Sequence, residues 1–391
     1  MYSSWPFVPF IEAVDILDNL RKPINSKERQ KRINGKTAKE LFPYYGATGQ
    51  VGMIDGYLSD GEYVLLGEDG APFLDAFASK AYIISGKSWV NNHAHILRSK
   101  TNNRFLCYYL NHFNYKGYVS GTTRLKLTQA DMKRIPVPVP PVKEQEHIVA
   151  RIEELFSQLD KGVETLQKTK QQLAVYRQAV ISSAFPKVDQ NEWKRLDEIA
   201  EIIGGITKGR NLEGQETIEL PYLRVANVQN GYLDLSEIKT IVLKKTEKEK
   251  YLLKYGDVLY TEGGDRDKLG RGTVWKNEIE ECVHQNHVFK ARLDKIQALP
   301  EYVAYWSMST FARNYFYTKG KQSVNLASIN KSVLSALTLP VPSLEEQRQV
   351  ITDIKERLSV CESIENTIDL ALQQAEAMRQ SILKRAFEGY F

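Results

Sequence analysis

Two long stretches of the chain place apolar residues three or four positions apart, or at sums of these spacings. They cover residues 143–186 and 343–391, and each follows a proline-rich segment. Proline holds the residue before it extended, so a helix begins after such a segment. This apolar spacing is typical of a coiled-coil seam, so we predict two long helices that pack through their seams. The predicted packing residues are Ile152, Leu155, Leu159, Leu166, Leu173, Val180, Ile354, Cys361, Ile364, Ile368, Ala375 and Ile382.

The two helical stretches are copies of one element. One copy begins PVPPVKEQEHIVARIEEL at Pro138, and the other begins PVPSLEEQRQVITDIKER at Pro340, 202 residues later. The same offset relates RQAVISSAF, near the end of the first copy, to RQSILKRAF in the second. The segments before the helices resemble one another more faintly, as in YVLLGEDG and DVLYTEGG. The chain therefore has the order domain, helix, domain, helix.

We predict an α/β domain over residues 1–142, a central helix over 143–186, a second α/β domain over 187–342 and a C-terminal helix over 343–391. Runs typical of strands, such as EYVLLGED and HVFKARL, alternate with helical runs such as RFLCYYLNHF and PEYVAYWSMSTFARNYF. Antiparallel pairing of the long helices would place the two domains at opposite ends, related by a pseudo-twofold axis. DNA half-sites have matching local symmetry. A helical hairpin that does not set the distance between the domains is the alternative.

The charge distribution favours a polyanionic partner. The net charge is +5; residues 1–142 carry 18 Lys and Arg against 12 Asp and Glu, and residues 187–342 carry 23 against 21. No stretch is apolar for long enough to span a membrane, and the N-terminal sequence lacks a signal-peptide pattern. The three cysteines have neither disulfide nor zinc spacing. We therefore expect a cytoplasmic protein with no membrane partner and no metal site.

Several loops combine glycine with cationic and polar side chains, as in GGITKGRN, GGDRDKLGRG and SGTTRLK. Glycine lets a backbone approach a phosphate, Arg and Lys contact phosphate or guanine, and Asn and Gln can read adenine. A solvated turn remains the alternative for any single loop. The predicted DNA-binding residues are Arg21, Lys22, Arg29, Lys31, Arg32, Lys36, Thr122, Thr123, Arg124, Lys126, Thr207, Lys208, Arg210, Asn211, Arg266, Lys268, Arg271, Lys319, Lys321, Gln322, Ser323 and Asn325.

Sequence motifs of catalysis are missing. The chain has no phosphate-binding GxxxxGK[ST], no GxSxG, no HExxH and no [NDS]PP[YFW] motif of an amino-methyltransferase. We therefore predict no catalytic residue. His93 and His287 each follow an asparagine at matching positions, and we interpret them as structural histidines, with a catalytic role as the alternative. Two other functions remain open: a stand-alone methyltransferase or nuclease, and a helical scaffold that does not read DNA.

The whole chain resembles the specificity subunit (HsdS) of type I restriction–modification systems. The resemblance lies in the helix starts IPVPVPPVKEQEHIV and LTLPVPSLEEQRQVI, the helix ends RQAVISSAF and RQSILKRAF, and the segment LDEIAEIIGGITKGR. The last segment resembles the opening of a target recognition domain. The first domain opens instead with WPFVPFIEAVDIL and lacks the GG-x-T loop.

This resemblance implies a division of labour within a larger complex. Each target recognition domain would bind one half of a bipartite site on double-stranded DNA. The two helices would set the spacer and dock two modification (M) subunits, which carry S-adenosylmethionine and methylate adenine. Restriction (R) subunits, which use ATP and Mg²⁺, would join them. The chain itself would bind no cofactor and catalyse no reaction.

Overall fold

The computed structural model describes residues 5–187, 189, 192–322 and 327–391. They fall into two compact units. Unit 1 comprises Met1–Gln167 and Ile368–Phe391, and unit 2 comprises Lys168–Thr367. Each long helix therefore begins in one unit and ends in the other.

Unit 1 contains an α/β domain whose sheets have the strand orders β2-β9-β6-β7 and β4-β3-β8-β5, with a short β1-β10 ladder. Its elements are β1 (Phe7–Pro9), α1 (Phe10–Ala13), β2 (Val14–Ile16), α2 (Ser26–Ile33), β3 (Phe42–Tyr45), β4 (Gln50–Ile54), β5 (Ser59–Asp60), β6 (Tyr63–Gly67), β7 (Ala81–Ile84), β8 (Lys87–Val90), β9 (Ala94–Ser99), α3 (Asn103–His112), α4 (Gln129–Met132) and β10 (Pro136–Pro138).

Strand β6 is buried along its whole length because both of its faces are covered. Val64 and Leu66 pack with Leu106 and Leu110 of α3. On the opposite face, Leu65 packs with Val90, Ile96 and other residues in a second cluster. Side chains alternate between the faces of a strand, which explains why the hydrophobic run around Leu65 is continuous.

The first long helix, α5 (Val142–Ser183), leads to the second domain. The elements that follow are β11 (Trp193–Arg195), α6 (Leu196–Ile199), β12 (Ala200–Gly204), β13 (Thr217–Leu223), β14 (Lys239–Lys244), α7 (Lys248–Tyr251), β15 (Val258–Thr261), β16 (Gly263–Gly264), β17 (Gly272–Val274), β18 (Val283–His284), β19 (Val288–Leu293), α8 (Pro300–Met308), α9 (Thr310–Lys319), β20 (Lys321–Gln322), β21 (Ala327–Ser328), α10 (Lys331–Ser335), β22 (Thr338–Pro340) and the second long helix, α11 (Leu344–Phe387).

The second domain repeats the topology of the first. Its sheet β12-β19-β15-β17 has the order of β2-β9-β6-β7, and its β14-β13-β18 sheet has that of β4-β3-β8. The β11-β22 ladder corresponds to β1-β10. The openings also match: strand, one-turn helix, strand in both domains, although their sequences differ. The prediction of two α/β domains with two long helices is therefore confirmed.

One predicted helix is two helices in the structure. The helical pattern of PEYVAYWSMSTFARNYF is interrupted at Ser309, between α8 and α9. The Ser309 side chain accepts a hydrogen bond from the Ala312 N–H, so it caps the start of α9. An N-cap residue has extended backbone dihedral angles, which end the preceding helix.

A buried glutamine fixes the start of each long helix. Gln145 and Gln347 are the fourth residues of α5 and α11, and they are 1% and 0% exposed. Gln145 Nε2 donates to Pro140 O at 2.8 Å, and its Oε1 accepts from Thr101 Oγ1 at 2.9 Å. Gln145 thus joins the proline-rich segment before α5 to the segment that precedes α3, and Gln347 joins the proline-rich segment before α11 to the segment that precedes α8.

In unit 2, Gln347 makes the corresponding contacts. Its Nε2 donates to Pro342 O at 2.8 Å and to Gln297 O at 3.0 Å. Its Oε1 accepts from Leu299 N–H at 2.8 Å. Both amide groups therefore have partners for donor and acceptor, as a buried polar side chain requires.

An aromatic residue fixes the end of each long helix. Within unit 1, the Phe387 ring lies 5.3 Å from Phe105 and 5.5 Å from Tyr109. Within unit 2, Phe185, just beyond α5, lies 5.2 Å from Tyr302 and 5.0 Å from Trp306. Such edge-to-face contacts add specificity to apolar burial. Each domain therefore holds the start of one helix and the end of the other.

The helices pair antiparallel within each unit. In unit 1, Ile152 of α5 packs with Ile382 and Leu383 of α11. In unit 2, Ile181 at the end of α5 packs with Ile354 near the start of α11. The pairing is supported by ion pairs, Arg379 with Asp160 in unit 1 and Arg177 with Glu365 in unit 2.

The seam repeats every seven residues. In α11, one line of buried residues recurs every seven positions. In α5, the residues of the corresponding seven-residue line are buried or half-buried. In α5 this line comprises Ile152, Leu159, Leu166, Leu173 and Val180, and in α11 it comprises Ile354, Cys361, Ile368, Ala375 and Ile382. Leu155 is also half-buried.

Ile364 does not belong to the seam, and its predicted packing role is wrong. Its side chain is 41% exposed. The second line of the seam lies four residues after each buried position, at Leu358, Glu365 and Ala386 for example, which are at least half-buried. Ile364 follows Cys361 by three residues and points away from that line.

Among the residues that the structure describes, no helix combines the length and the apolar character needed to cross a bilayer.

Ile354→Ala is expected to lower the free energy of unfolding by about 2–5 kcal/mol, because it leaves a cavity at a fully buried position. Ile364→Ala is the matched control, with an expected change within about 0.5 kcal/mol. Urea unfolding of the purified full chain measures both. Equal destabilisation by the two substitutions would contradict the seven-residue seam.

Candidate nucleic-acid interface

In unit 1, three segments meet at one end of the β2-β9-β6-β7 sheet. They are residues 68–70 after β6, residues 91–93 before β9 and residues 120–126, and together we call them loop cluster 1. Glu68 N–H donates to His93 O at 2.8 Å, and Gly70 N–H donates to Leu125 O at 2.9 Å. The segments converge because β6 and β9 are neighbouring antiparallel strands.

Loop cluster 1 rests on a partly buried charged network. Arg21 pairs with Glu68 and also lies 3.2 Å from Asp18, and Lys126 Nζ lies 3.3 Å from Glu68 Oε1. The buried His95 places Nδ1 2.7 Å from Asp18 Oδ2. Burial opposes ionisation of Asp18, but the His95 hydrogen bond and charge, the Ile96 N–H and Arg21 together hold its pKa below the usual value.

Two arginines of α2 lie on aromatic rings. The Arg29 guanidinium is 4.9 Å from the ring centre of Tyr44, and that of Arg32 is 4.8 Å from Trp89. Arg32 also pairs with Asp55. Arginine stacks on aromatic faces while keeping N–H donors at its edge. The arginines could be predicted from the sequence, but the aromatic rings beneath them could not, because these rings come from β3 and β8.

Loop cluster 2 occupies the corresponding end of the sheet in unit 2 and comprises residues 262–268, 285–287 and 319–322. Glu262 N–H donates to His287 O at 2.9 Å. The Arg266 guanidinium lies 4.4 Å from the ring centre of Tyr317, and Arg271 donates to Gln229 Oε1 at 2.9 Å. The same kind of loops therefore gather at the same place in both domains.

The structure divides the predicted cations into two groups. Seven have a carboxylate partner: Arg21, Arg32, Lys36, Arg124, Lys126, Arg210 and Lys268. The others have no acidic partner within 4.0 Å among the described residues: Lys22, Arg29, Lys31, Lys208, Arg266, Arg271, Lys319 and Lys321. The second group can neutralise phosphate without giving up an ion pair.

The polar candidates fall into two sets. Thr122, Thr123, Thr207 and Asn211 are exposed. Ser323, Asn325 and the side chain of Gln322 lie outside the described residues. The DNA-binding roles of the whole predicted set stay predictions.

An open cavity of about 710 Å³ lies in loop cluster 1. Its lining includes Asp69, Asn91, His93, Thr123 and Arg124. Among the described residues, no group of three or more His, Cys, Asp or Glu is placed to hold a metal ion. The cavity presents a histidine, an arginine, a hydroxyl and an amide, which are groups that hydrogen-bond to bases and phosphates.

The model of the type I restriction modification DNA specificity domain matches the chain twice, at residues 8–174 and 189–374. The chain belongs to this family. Each match covers one α/β domain and most of the long helix that follows it.

Similar proteins extend over most of the chain. A putative type I restriction enzyme specificity subunit from Haemophilus influenzae is 25% identical over 378 residues, covering 94% of this chain and 91% of that protein. The EcoKI specificity subunit from Escherichia coli K12 is 24% identical over 73% of this chain and 65% of its own length.

Solved structures share the fold of this specificity-family chain. One chain, from a study of complex assembly and conformational transition of the type I R-M system, aligns over 100% of both chains with a TM-score of 0.69 and 18% identity. The HsdS subunit from Thermoanaerobacter tengcongensis aligns over 99% of this chain and 97% of its own, with a TM-score of 0.53 and 17% identity.

Lys31→Ala is expected to make the negative slope of log affinity against log salt for duplex DNA shallower by about 0.9, the value for one lost phosphate contact, without changing thermal stability. Arg21→Ala is expected instead to lower the melting temperature, because it leaves Glu68 and Asp18 with one less counter-charge in a partly buried site. Fluorescence anisotropy at several salt concentrations and calorimetry measure the two effects.

Lys384→Ala, an exposed lysine on α11 outside both loop clusters, is the control for the salt slope. An unchanged slope for Lys31→Ala, or an equal loss of slope for Lys384→Ala, would argue against α2 as a phosphate-contacting element.

Proposed function

We propose that this chain is the sequence-reading subunit of a type I restriction–modification complex and catalyses no reaction itself. The observation that carries the proposal is the duplication: two domains of one topology gather loops with arginine, lysine and histidine side chains at the same end of the same sheet. The family match over both domains supports it. Each domain reads one half of a bipartite site on double-stranded DNA, through side chains that differ between the two.

The helix pair sets the spacer between the half-sites and docks the M subunits. Helix packing through a seven-residue seam gives it a defined length, as a spacer element requires. Apolar side chains outside the seam support docking: Val175, Tyr176, Val360 and Ile364 in unit 2 and Leu370 and Met378 in unit 1 are all more than 40% exposed. Exposed apolar surface of this kind marks protein interfaces.

The cofactors of the complex belong to its other subunits. S-adenosylmethionine is used by two M subunits, which methylate adenine, and ATP and Mg²⁺ are used by the R subunits. The motifs of the chain support this assignment, because it carries no phosphate-binding loop and no amino-methyltransferase motif.

Genome-wide adenine methylation tests the reader role. Cells with this gene and its partner methyltransferase gene are compared with cells that lack only this gene. The expected result is one bipartite methylated motif that disappears without this chain. Persistence of the same methylation in its absence would reject the proposal, and the scaffold role would then replace it.

Insertion of one heptad after Leu166 and one after Ile368 is expected to lengthen the recognised spacer. Seven residues keep the seam in phase and extend a helix by about 10 Å, or about three base pairs of DNA. Methylome sequencing with the variant reads the new spacer directly.

The control inserts the same seven residues in α5 alone, which mismatches the pair and is expected to abolish methylation. Wild-type spacing in the doubly extended, active variant would show that the helix pair does not determine the spacer.

A further inference from the structure

His93 and His287 occupy the same structural position in the two domains. His93 immediately precedes β9, which pairs with β6, and His287 immediately precedes β19, which pairs with β15. The strands β6 and β15 lead into the first segment of loop cluster 1 and of loop cluster 2, respectively. The main-chain contact is also the same, because the carbonyl of each histidine accepts from the N–H of Glu68 or Glu262. The hydrogen bond that fixes this turn therefore uses no histidine side-chain atom.

Each imidazole is oriented by a carboxylate on Nδ1, but the carboxylate comes from a different position in the two domains. His93 Nδ1 lies 3.2 Å from Asp69 Oδ2, and His287 Nδ1 lies 2.6 Å from Glu262 Oε2. YVLLGEDG (residues 63–70) aligns with DVLYTEGG (residues 257–264) at an offset of 194 residues, so Glu262 corresponds to Glu68 and not to Asp69. A histidine–carboxylate pair is thus present in both domains, although the carboxylate comes from a different position in the sequence of each.

The different position of the carboxylate in the two domains has a physical explanation. In unit 1, the Glu68 carboxylate is already engaged by Arg21 and Lys126, and Asp69 takes its place beside His93. In unit 2, the residue corresponding to Asp69 is Gly263, which has no side chain, and Glu262 is free to pair with His287. Two different local arrangements therefore give the same oriented imidazole.

These side chains do not serve the hydrophobic cores. The His93 side chain is 39% exposed and that of His287 is 53% exposed. With Nδ1–H donating to the carboxylate, the uncharged ring carries an acceptor at Nε2. In unit 2, the Asn286 amide nitrogen lies 3.3 Å from His287 Nε2 and meets this single acceptor, so the exposed Asn286–His287 contact must open before a base can take its place.

Polar side chains surround the His93 imidazole. It lines the open cavity of loop cluster 1 with Thr123, Arg124 and Asn91. Arg124 pairs with Asp69, so the carboxylate that orients the imidazole also holds an arginine at the same cavity.

We propose that His93 and His287 are base-reading residues, one in each domain, whose Nε2 accepts a hydrogen bond from the exocyclic amino group of adenine or cytosine in the major groove. These amino groups are the major-groove donors of the base pairs, so an oriented acceptor discriminates against guanine and thymine at that position. The inference rests on the proposed reader role and specifies which side chains carry part of it. Asp69 and Glu262 are the positioning residues.

The test uses the complex assembled from this chain and its methyltransferase partner. Methylated fractions are measured by methylome sequencing at the recognised motif and at all its single-base variants. His93→Ala is expected to relax discrimination by roughly 5- to 100-fold at one base pair of one half-site, and His287→Ala at one base pair of the other. His147→Ala, an exposed histidine on α5, is the matched control and leaves discrimination unchanged.

Other outcomes overturn the inference. If methylation depends on this chain but both variants keep wild-type discrimination at every position, the proposed function stands and the base-reading role fails. A uniform loss at all sequences assigns the histidines to phosphate contact.

His93→Phe and His287→Phe keep a planar ring and separate folding from reading. Relaxed discrimination in an assembled Phe variant supports base reading. If both the Ala and Phe variants fail to assemble, with a lowered melting temperature, the histidines are structural and the inference is rejected.

Discussion

The attachment of each α/β domain to two helices at once is the constraint on which the rest of the structure depends. A domain that reads DNA must keep its orientation, and a single helical tether would leave it free to rotate. Here a fully buried amide, Gln145 or Gln347, binds the starting helix to the domain, and an aromatic ring, Phe387 or Phe185, binds the ending helix to the same domain. A buried amide without its partners is costly, so these contacts hold the geometry tightly.

This rigid attachment leaves the loop clusters free to diverge. The sheet order is the same in both domains, whereas the side chains at its end differ: Glu68 and Asp69 in one, Glu262 and a glycine in the other. A binding surface placed on loops can change its side chains without loss of the core, because the hydrophobic clusters lie behind it. The side chains that differ thus lie on loops at the end of the sheet, and the strands between these loops keep the same order.

The long helices and the two α/β domains could be predicted because their signals are local or repeated. Heptad spacing and the duplicated lead-in are visible in the sequence alone. The sequence predicts Ile364 in the seam because a spacing of three residues also suits a coiled coil. The structure shows that the second line of the seam follows the first by four residues instead. The break at Ser309 was missed because a cap competes locally with a continuous apolar pattern.

The candidate site was less accessible to sequence reasoning. Composition identifies cations such as Arg21, Arg32 and Lys31. The carboxylates that pair with Arg21 and Arg32, Glu68 and Asp55, lie at other positions along the chain, so only the fold separates these paired cations from Lys31. The order of the chain has one further consequence, for folding during synthesis. Unit 1 includes Ile368–Phe391, and Phe387 packs on the aromatic side chains of α3. The 1–142 domain therefore completes its packing only when residues 368–391 have been synthesised, and removal of these residues is expected to destabilise unit 1.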